Sequence, residues 1–166
     1  MNIQTLTPAN VEAYQVLRLR ALRDHPEAFG SAYEDEAVMA LEKVAERLVS
    51  APERFTLGAW QEESLVGMAG FSRNLGRKTR HRGMVWGMYV APEARGQGVG
   101  AALLAEILQR VKRLDGLEEV ILAVTVGNPA AQRIYLQAGF VLSHVEKRYI
   151  KLDDTYYDIE WMTLRL

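Results

Sequence analysis

The sequence predicts a mixed α/β fold: a central, largely antiparallel sheet of roughly seven strands with four helices. Three observations carry that expectation. Short β-branched or alternating segments are interleaved with segments of helical period in the order β-α-α-β-β-β-α-β-α-β-β. A strand–helix–strand crossover sits in the middle of the chain, which makes strands 83–90 and 117–126 parallel neighbours. The strands on either side follow one another through short turns and read as hairpins. Neither a repeat nor a linker interrupts the 166 residues, so a single domain over 1–166 is expected.

The first strand falls at Asn2–Leu6. Thr7 then caps a helix with Pro8 at its first position, running to about Asp24. His25-Pro26 ends it, because a residue before proline is pushed out of the helical region. Val38, Leu41, Ala45 and Leu48 keep helical spacing and predict a second helix over Glu34–Ser50. Phe55–Gln61 and Ser64–Phe71 form a hairpin turned at Glu62-Glu63, and Gly83–Val90 follows as a third strand. Residues 72–82 are polar and basic and read as an exposed loop. A helix to about Leu114 carries Leu103, Leu104, Ile107, Leu108, Val111 and Leu114 on one stripe, opposite Glu106, Gln109, Arg110 and Lys112. Leu117–Val126 is a β-branched strand, and Pro129–Ala138 a short helix closed by Gly139 as a left-handed cap. Phe140–Lys151 and Thr155–Leu164 complete the sheet around Asp153-Asp154.

Composition narrows the function. Twenty basic residues against twenty-one acidic ones leave a net charge of −1, which speaks against nucleic-acid or membrane-surface binding as the main activity. The local cluster Arg77-Lys78-Thr79-Arg80-His81-Arg82 reads as a solvated loop, although it would also attract an acidic acceptor or a coenzyme phosphate. The absence of cysteine excludes disulfides, thiolate metal sites and a cysteine nucleophile, and suits a cytoplasmic setting. The opening Met1–Leu6 lacks the pattern of a signal peptide, and no apolar run approaches the roughly 18 residues of a membrane span. His25, His81 and His144 are not spaced as metal ligands, so no metal is expected.

The chemistry concentrates in Arg95-Gly96-Gln97-Gly98-Val99-Gly100-Ala101, between a strand and an amphipathic helix. Glycines let backbone approach a ligand closely and take positive φ without strain. Free N–H groups at a helix start, with the helix dipole behind them, bind anions, and a pyrophosphate is the natural guest. Arg95 would add a charge-assisted hydrogen bond. A P-loop reading fails, because no Gly-Lys-Ser/Thr follows. Residues 96–101 do satisfy G-x-G-x-x-A. However, they do not directly follow the strand, and the next strand ends in Thr125-Val126-Gly127-Asn128 with no carboxylate for a ribose, so a dinucleotide fingerprint is disfavoured. A ligand-free glycine turn is the remaining plain reading.

The segment Val90–Gly100 resembles the pyrophosphate loop of the GNAT acetyltransferases, R/Q-x-x-G-x-G/A. Asn128-Pro129-Ala130-Ala131-Gln132-Arg133-Ile134-Tyr135-Leu136-Gln137-Ala138-Gly139-Phe140 is similar to the family's second hallmark, N-x-x-A-x-x-x-Y-x-x-x-G-F. The ending Tyr156–Met162 also resembles the family's last strand. The resemblance implies acetyl-coenzyme A as cofactor and a strand pair that splays around its pantetheine arm, with backbone groups of Met88, Tyr89 and Val90 pairing to that arm. It further implies that Arg95, Gly96, Gln97, Gly98, Val99, Gly100 and Ala101 hold the pyrophosphate. Asn128 and Ala131 would contact the cofactor beyond the second parallel strand, and Tyr135 would stand near the sulfur and protonate the leaving thiolate.

The implied activity is transfer of acetyl from acetyl-CoA to a primary amine by direct attack in a ternary complex. The acceptor class, small molecule or protein, stays open, and the family also forms homodimers. Many members place a glutamate on the strand before the loop; Gly83–Val90 carries neither carboxylate nor histidine. Glu34 is the candidate base on resemblance, because family members line the acceptor site with the connection between the first two helices; an ordinary solvated first turn is its plainer reading. His144 is a weaker candidate. Phe29, Tyr33 and Trp86 are candidates for an aromatic acceptor pocket, with core packing the plainer reading for Trp86. The missing carboxylate supports an alternative, a non-catalytic acyl-CoA-binding sensor or scaffold.

Overall fold

The computed structural model describes residues 1–166. Its seven strands form one sheet: β1 (Asn2–Thr5), β2 (Arg54–Gln61), β3 (Ser64–Arg73), β4 (Arg82–Val90), β5 (Glu119–Thr125), β6 (Val141–Leu152) and β7 (Thr155–Arg165). They lie in the order β1-β2-β3-β4-β5-β7-β6. Every neighbouring pair is antiparallel except β4–β5, which the crossover makes parallel as expected.

Helices are α1 (Val11–Asp24), α2 (Tyr33–Ala37), α3 (Leu41–Arg47), α4 (Val99–Val111) and α5 (Pro129–Gln137). The long α4 buries the predicted stripe of Leu103, Leu104, Ile107, Leu108 and Val111. Each such side chain, fully withdrawn from water, contributes roughly 1.5–3 kcal/mol before entropy is counted. From α1 the core receives Tyr14, Leu17, Ala21 and Leu22. Phe71 of β3 and Phe140, just before β6, are the largest fully buried side chains. No helix is long and apolar enough to cross a membrane.

The helix expected over Glu34–Ser50 is instead two helices, giving five where four were predicted. Ala40 is extended (φ −60, ψ 140) and separates α2 from α3. Val38, assigned by spacing to the buried face, is 85% exposed, while Glu36 is 4% exposed. Tertiary contacts override periodicity here. The Glu36 carboxylate meets Arg18 of α1 in a two-pronged pair (2.9 and 3.0 Å), and its carbonyl accepts from Gln15 Nε2 (2.9 Å). Anchoring Glu36 in this way turns the chain, so that Val44 and Leu48 reach the core from a separate helix.

Candidate active site

Strands β4 and β5 pair only at Arg82–Glu119, Gly83–Val120 and Met84–Ile121. Beyond Met84, β4 remains on β3 as far as Val90, and β5 remains on β7 as far as Thr125. The two parallel strands therefore diverge. A bulge marks the point of departure: the β3–β4 register slips between Met68 and Gly70, opposite Gly87 and Met88. Gly87 has φ 63, a left-handed conformation that a side chain would strain.

The wedge between the strands opens into a cleft of about 810 Å³, walled by Met88 and Val90 on one side and by Val124, Asn128 and Tyr135 on the other. At its floor the chain turns into α4. Gly96 (φ 75) and Gly98 (φ 78) are both left-handed, and a Cβ at either would meet nothing within 4 Å. None of the amides of residues 96–101 has an acceptor in the protein; the first bond of α4 is Ala102 N–H to Gly98 C=O (3.0 Å). A helix of this length with bare leading amides and no side-chain cap presents its positive end to the cleft. Gly100 serves packing, since a Cβ there would come within 3.2 Å of Ile134 of α5.

Side chains fix this turn in place. Gln97 donates from Nε2 to the Glu93 carbonyl (3.1 Å) and accepts from Gln61 (2.8 Å). Arg95 donates from Nε to the Val90 carbonyl (3.0 Å) and reaches His25 Nε2 (2.9 Å), so its guanidinium braces the end of β4. His25 and Glu27, separated by 3.4 Å, also line the cleft. The sequence reading gave neither a site role, because nothing local signals that the 3₁₀ turn Pro26–Ala28 docks on β5; the Thr125 hydroxyl donates to the Glu27 carbonyl (2.8 Å).

Asn128 lines the cleft and caps α5, its Oδ1 accepting from Ala131 N–H (3.1 Å). The Ala131 amide is thus occupied, while its side chain faces the cleft wall. Tyr135 is 6% exposed, and its hydroxyl lies 3.5 Å from Met88 Sδ across the gap between the strands. Burial pushes the Tyr135 phenol up to about 12.

A second cavity, of about 290 Å³, shares Phe29, Trp86 and Gly87 with the cleft and continues to Arg18, Tyr149 and Trp161. A register irregularity in β6 between Glu146 and Ile150 brings Tyr149 to this wall. Phe29 and Trp86 line both spaces. Tyr33 and Glu34 line neither: Glu34 is exposed on α2, and the acidic side chain that α2 turns inward is Glu36. His144 is exposed and stacks on Trp161 (6.2 Å). The basic loop is at the opposite end of β4 from the glycine turn; Arg80 pairs with Glu53 (2.7 Å) and Arg82 with Glu119 (2.9 Å). Neither of these two arginines is free for a distant phosphate.

A splayed parallel pair above a bare-amide helix turn leaves a positively polarised helix end at the foot of an open slot between two strands. Comparison with known proteins identifies the family. The model of the Acetyltransferase (GNAT) family matches residues 10–140, and the chain belongs to that family of acetyl-CoA-dependent acyltransferases. It is similar to a mycothiol acetyltransferase of Thermobispora bispora, 31% identical over 90% of this chain and 49% of that protein. The chain spans half or less of the length of the first curated relatives it matches. Among solved structures, a GNAT-family acetyltransferase of Streptococcus pneumoniae superposes with a TM-score of 0.90 at 19% identity, covering 99% of both chains. YncA of Salmonella typhimurium, solved with its cofactor acetyl-CoA, superposes with a TM-score of 0.80 at 19% identity, covering 99% of this chain and 93% of that one.

Proposed function

We propose that the protein transfers the acetyl group of acetyl-CoA to a primary amine by direct attack, with both substrates bound at once. The observation that carries this reading is the row of unpaired amides at residues 96–101, opening onto the cleft between β4 and β5. Those amides, backed by the α4 dipole, would hold the pyrophosphate. Backbone groups of Met88, Tyr89 and Val90 would pair with the pantetheine arm, and Asn128 and Ala131 would flank it. When bound, the coenzyme supplies an activated thioester.

The rest belongs to the chain. The bulge at Gly87–Met88 frees backbone from the ladder beside the gap, where an N–H can meet the charge that develops on the carbonyl oxygen. As nitrogen bonds to the acetyl carbon and the carbon–sulfur bond breaks, nitrogen loses a proton and sulfur gains one. Tyr135, whose buried hydroxyl faces the gap between the strands, would be the donor to the sulfur. A phenol near 12 gives up its proton uphill, by roughly 5 kcal/mol, to a thiolate whose conjugate acid has a pKa of about 8.5. Its main contribution is therefore the hydrogen bond to departing sulfur, with rate effects on the order of 10²-fold. Glu34, exposed and outside both cavities, does not serve as base in this account. The amine arrives neutral or passes its proton by water to the cleft-lining His25–Glu27 pair. The cytoplasmic setting expected from the sequence is part of the same reading.

Acetyl-CoA-dependent thiol release over a broad amine panel tests this. Turnover with at least one amine is expected; tight coenzyme binding without any turnover would favour the alternative, a non-catalytic acyl-CoA sensor. That alternative draws on one feature, the lack of any carboxylate on β4 beside the bulge.

A further inference from the structure

We infer that the acceptor is a free amino acid, its carboxylate received by Arg18 in the 290 Å³ cavity and its amine presented at Gly87; this rests on the acetyl-transfer reading above. Arg18 is the only ionic side chain lining that cavity. Its side chain is 9% exposed. Nε and Nη2 are committed to the two oxygens of Glu36 (3.0 and 2.9 Å), which leaves Nη1 without an acceptor in the protein. Glu36 does not cancel the local charge, because Arg47 approaches the same carboxylate (3.4 Å). Two guanidinium groups share one carboxylate, and the cluster carries one net positive charge.

The free nitrogen is aimed. The Phe29 ring lies 5.1 Å from the guanidinium carbon and holds its plane. Nη1 lies 3.9 Å from where a Cβ on Gly87 would sit, so no side chain intervenes between the guanidinium and the bulge. Gly87 lines both cavities, which makes it the place where an acceptor nitrogen crosses toward the thioester. A nitrogen at Gly87 and an anionic oxygen on Nη1 are therefore a few ångströms apart, the spacing of an α-amino acid.

The remaining walls set the rest of the molecule. Phe29, Trp86, Tyr149 and Trp161 are aromatic, and the volume lies at the small end of the roughly 300–1,000 Å³ typical of ligand sites. An apolar or aromatic side chain fits this lining. A polyamine or a lysine-rich peptide would bring further cations to a cavity whose only ionic lining side chain is itself a cation.

The test uses the full chain with acetyl-CoA, thiol detection, and three matched series: the apolar and aromatic L-amino acids, their amides, and the corresponding amines lacking the carboxyl group. The amino acids should exceed both other series in kcat/KM by about 10- to 100-fold, the effect of one charge-assisted hydrogen bond. Arg18→Gln combined with Glu36→Gln keeps a neutral hydrogen-bonded pair in place and should erase that preference. A preference that survives this double replacement would overturn the assignment of Arg18. Amines or amides accepted as well as amino acids, or no amino acid accepted while acetyl-CoA still binds by calorimetry, would overturn the acceptor class and leave the acetyl-CoA site standing. Loss of acetyl-CoA binding to the unaltered protein would instead bring down the reading on which it rests. The comparison among the three series needs no variant, so it stands even if the double replacement fails to fold.

Discussion

Gly98 concentrates the account at a single residue. Its φ of 78 makes it the left-handed entry to α4, and the space where its side chain would be is open cleft. Gly98→Val should cost about 1–2 kcal/mol of stability from backbone strain. It should also weaken acetyl-CoA binding more than about 100-fold, because the new side chain displaces the diphosphate; unchanged affinity by calorimetry would remove the amides from the site. Tyr135→Phe should lower kcat by about 10²-fold with little change in coenzyme affinity. With its phenol near 12, the Tyr135 proton should not limit turnover below about pH 10, so a falling limb that starts at pH 9 and vanishes in the Phe variant would contradict its buried, protonated state. Much of this was legible from sequence, since a glycine turn before a periodic helix and an aromatic seven residues past Asn128 are local patterns. His25, Glu27 and Arg18 were not. Their positions in the cavity walls depend on how α1 and the following turn dock against the sheet, which no nearby residue announces.

The contrast between α4 and α2–α3 shows where periodicity works and where it fails. In α4 every residue of the predicted stripe from Leu103 to Val111 is buried, because one face of a long helix lies on the sheet. Leu103→Ala should therefore cost about 2–5 kcal/mol, read as a lowered urea midpoint. In the α2–α3 region a buried ion pair decides the path, and the spacing misleads at Val38 and Leu41, which are exposed, while Leu48 is buried as expected. Burial alone would raise the Glu36 carboxyl, but the Arg18 hydrogen bond and the Arg18 and Arg47 charges outweigh that and hold it below the usual range. A lowered folded value means the stabilisation is full above about pH 4.3 and is lost as pH falls through the folded value. Glu36→Gln should flatten that acid loss. It should also cost about 3–5 kcal/mol at neutral pH, by leaving Arg18 buried without its counter-charge; an acid limb identical to that of the unaltered protein would refute the role given to the pair.

At the scale of the molecule, the single parallel pair followed from the strand–helix–strand crossover and was readable in advance, whereas the insertion of β7 between β5 and β6 was not, because the sequence carries only the order along the chain. The divergence of that pair was not derivable from alternation. It depends on a bulge at Gly87–Met88 and on β5 staying with β7, both consequences of the assembled sheet. The 290 Å³ cavity is further still from sequence, since it draws on α1, the turn after it, β4, β5, β6 and β7 at once. What unites these levels is the claim that unpaired amides at 96–101 and the wedge above them form a coenzyme site. Isothermal titration with acetyl-CoA tests that claim most directly. Saturable one-to-one binding, weakened by competing coenzyme A and by Gly98→Val, is the predicted result; no heat of binding at millimolar acetyl-CoA to the folded protein would contradict it.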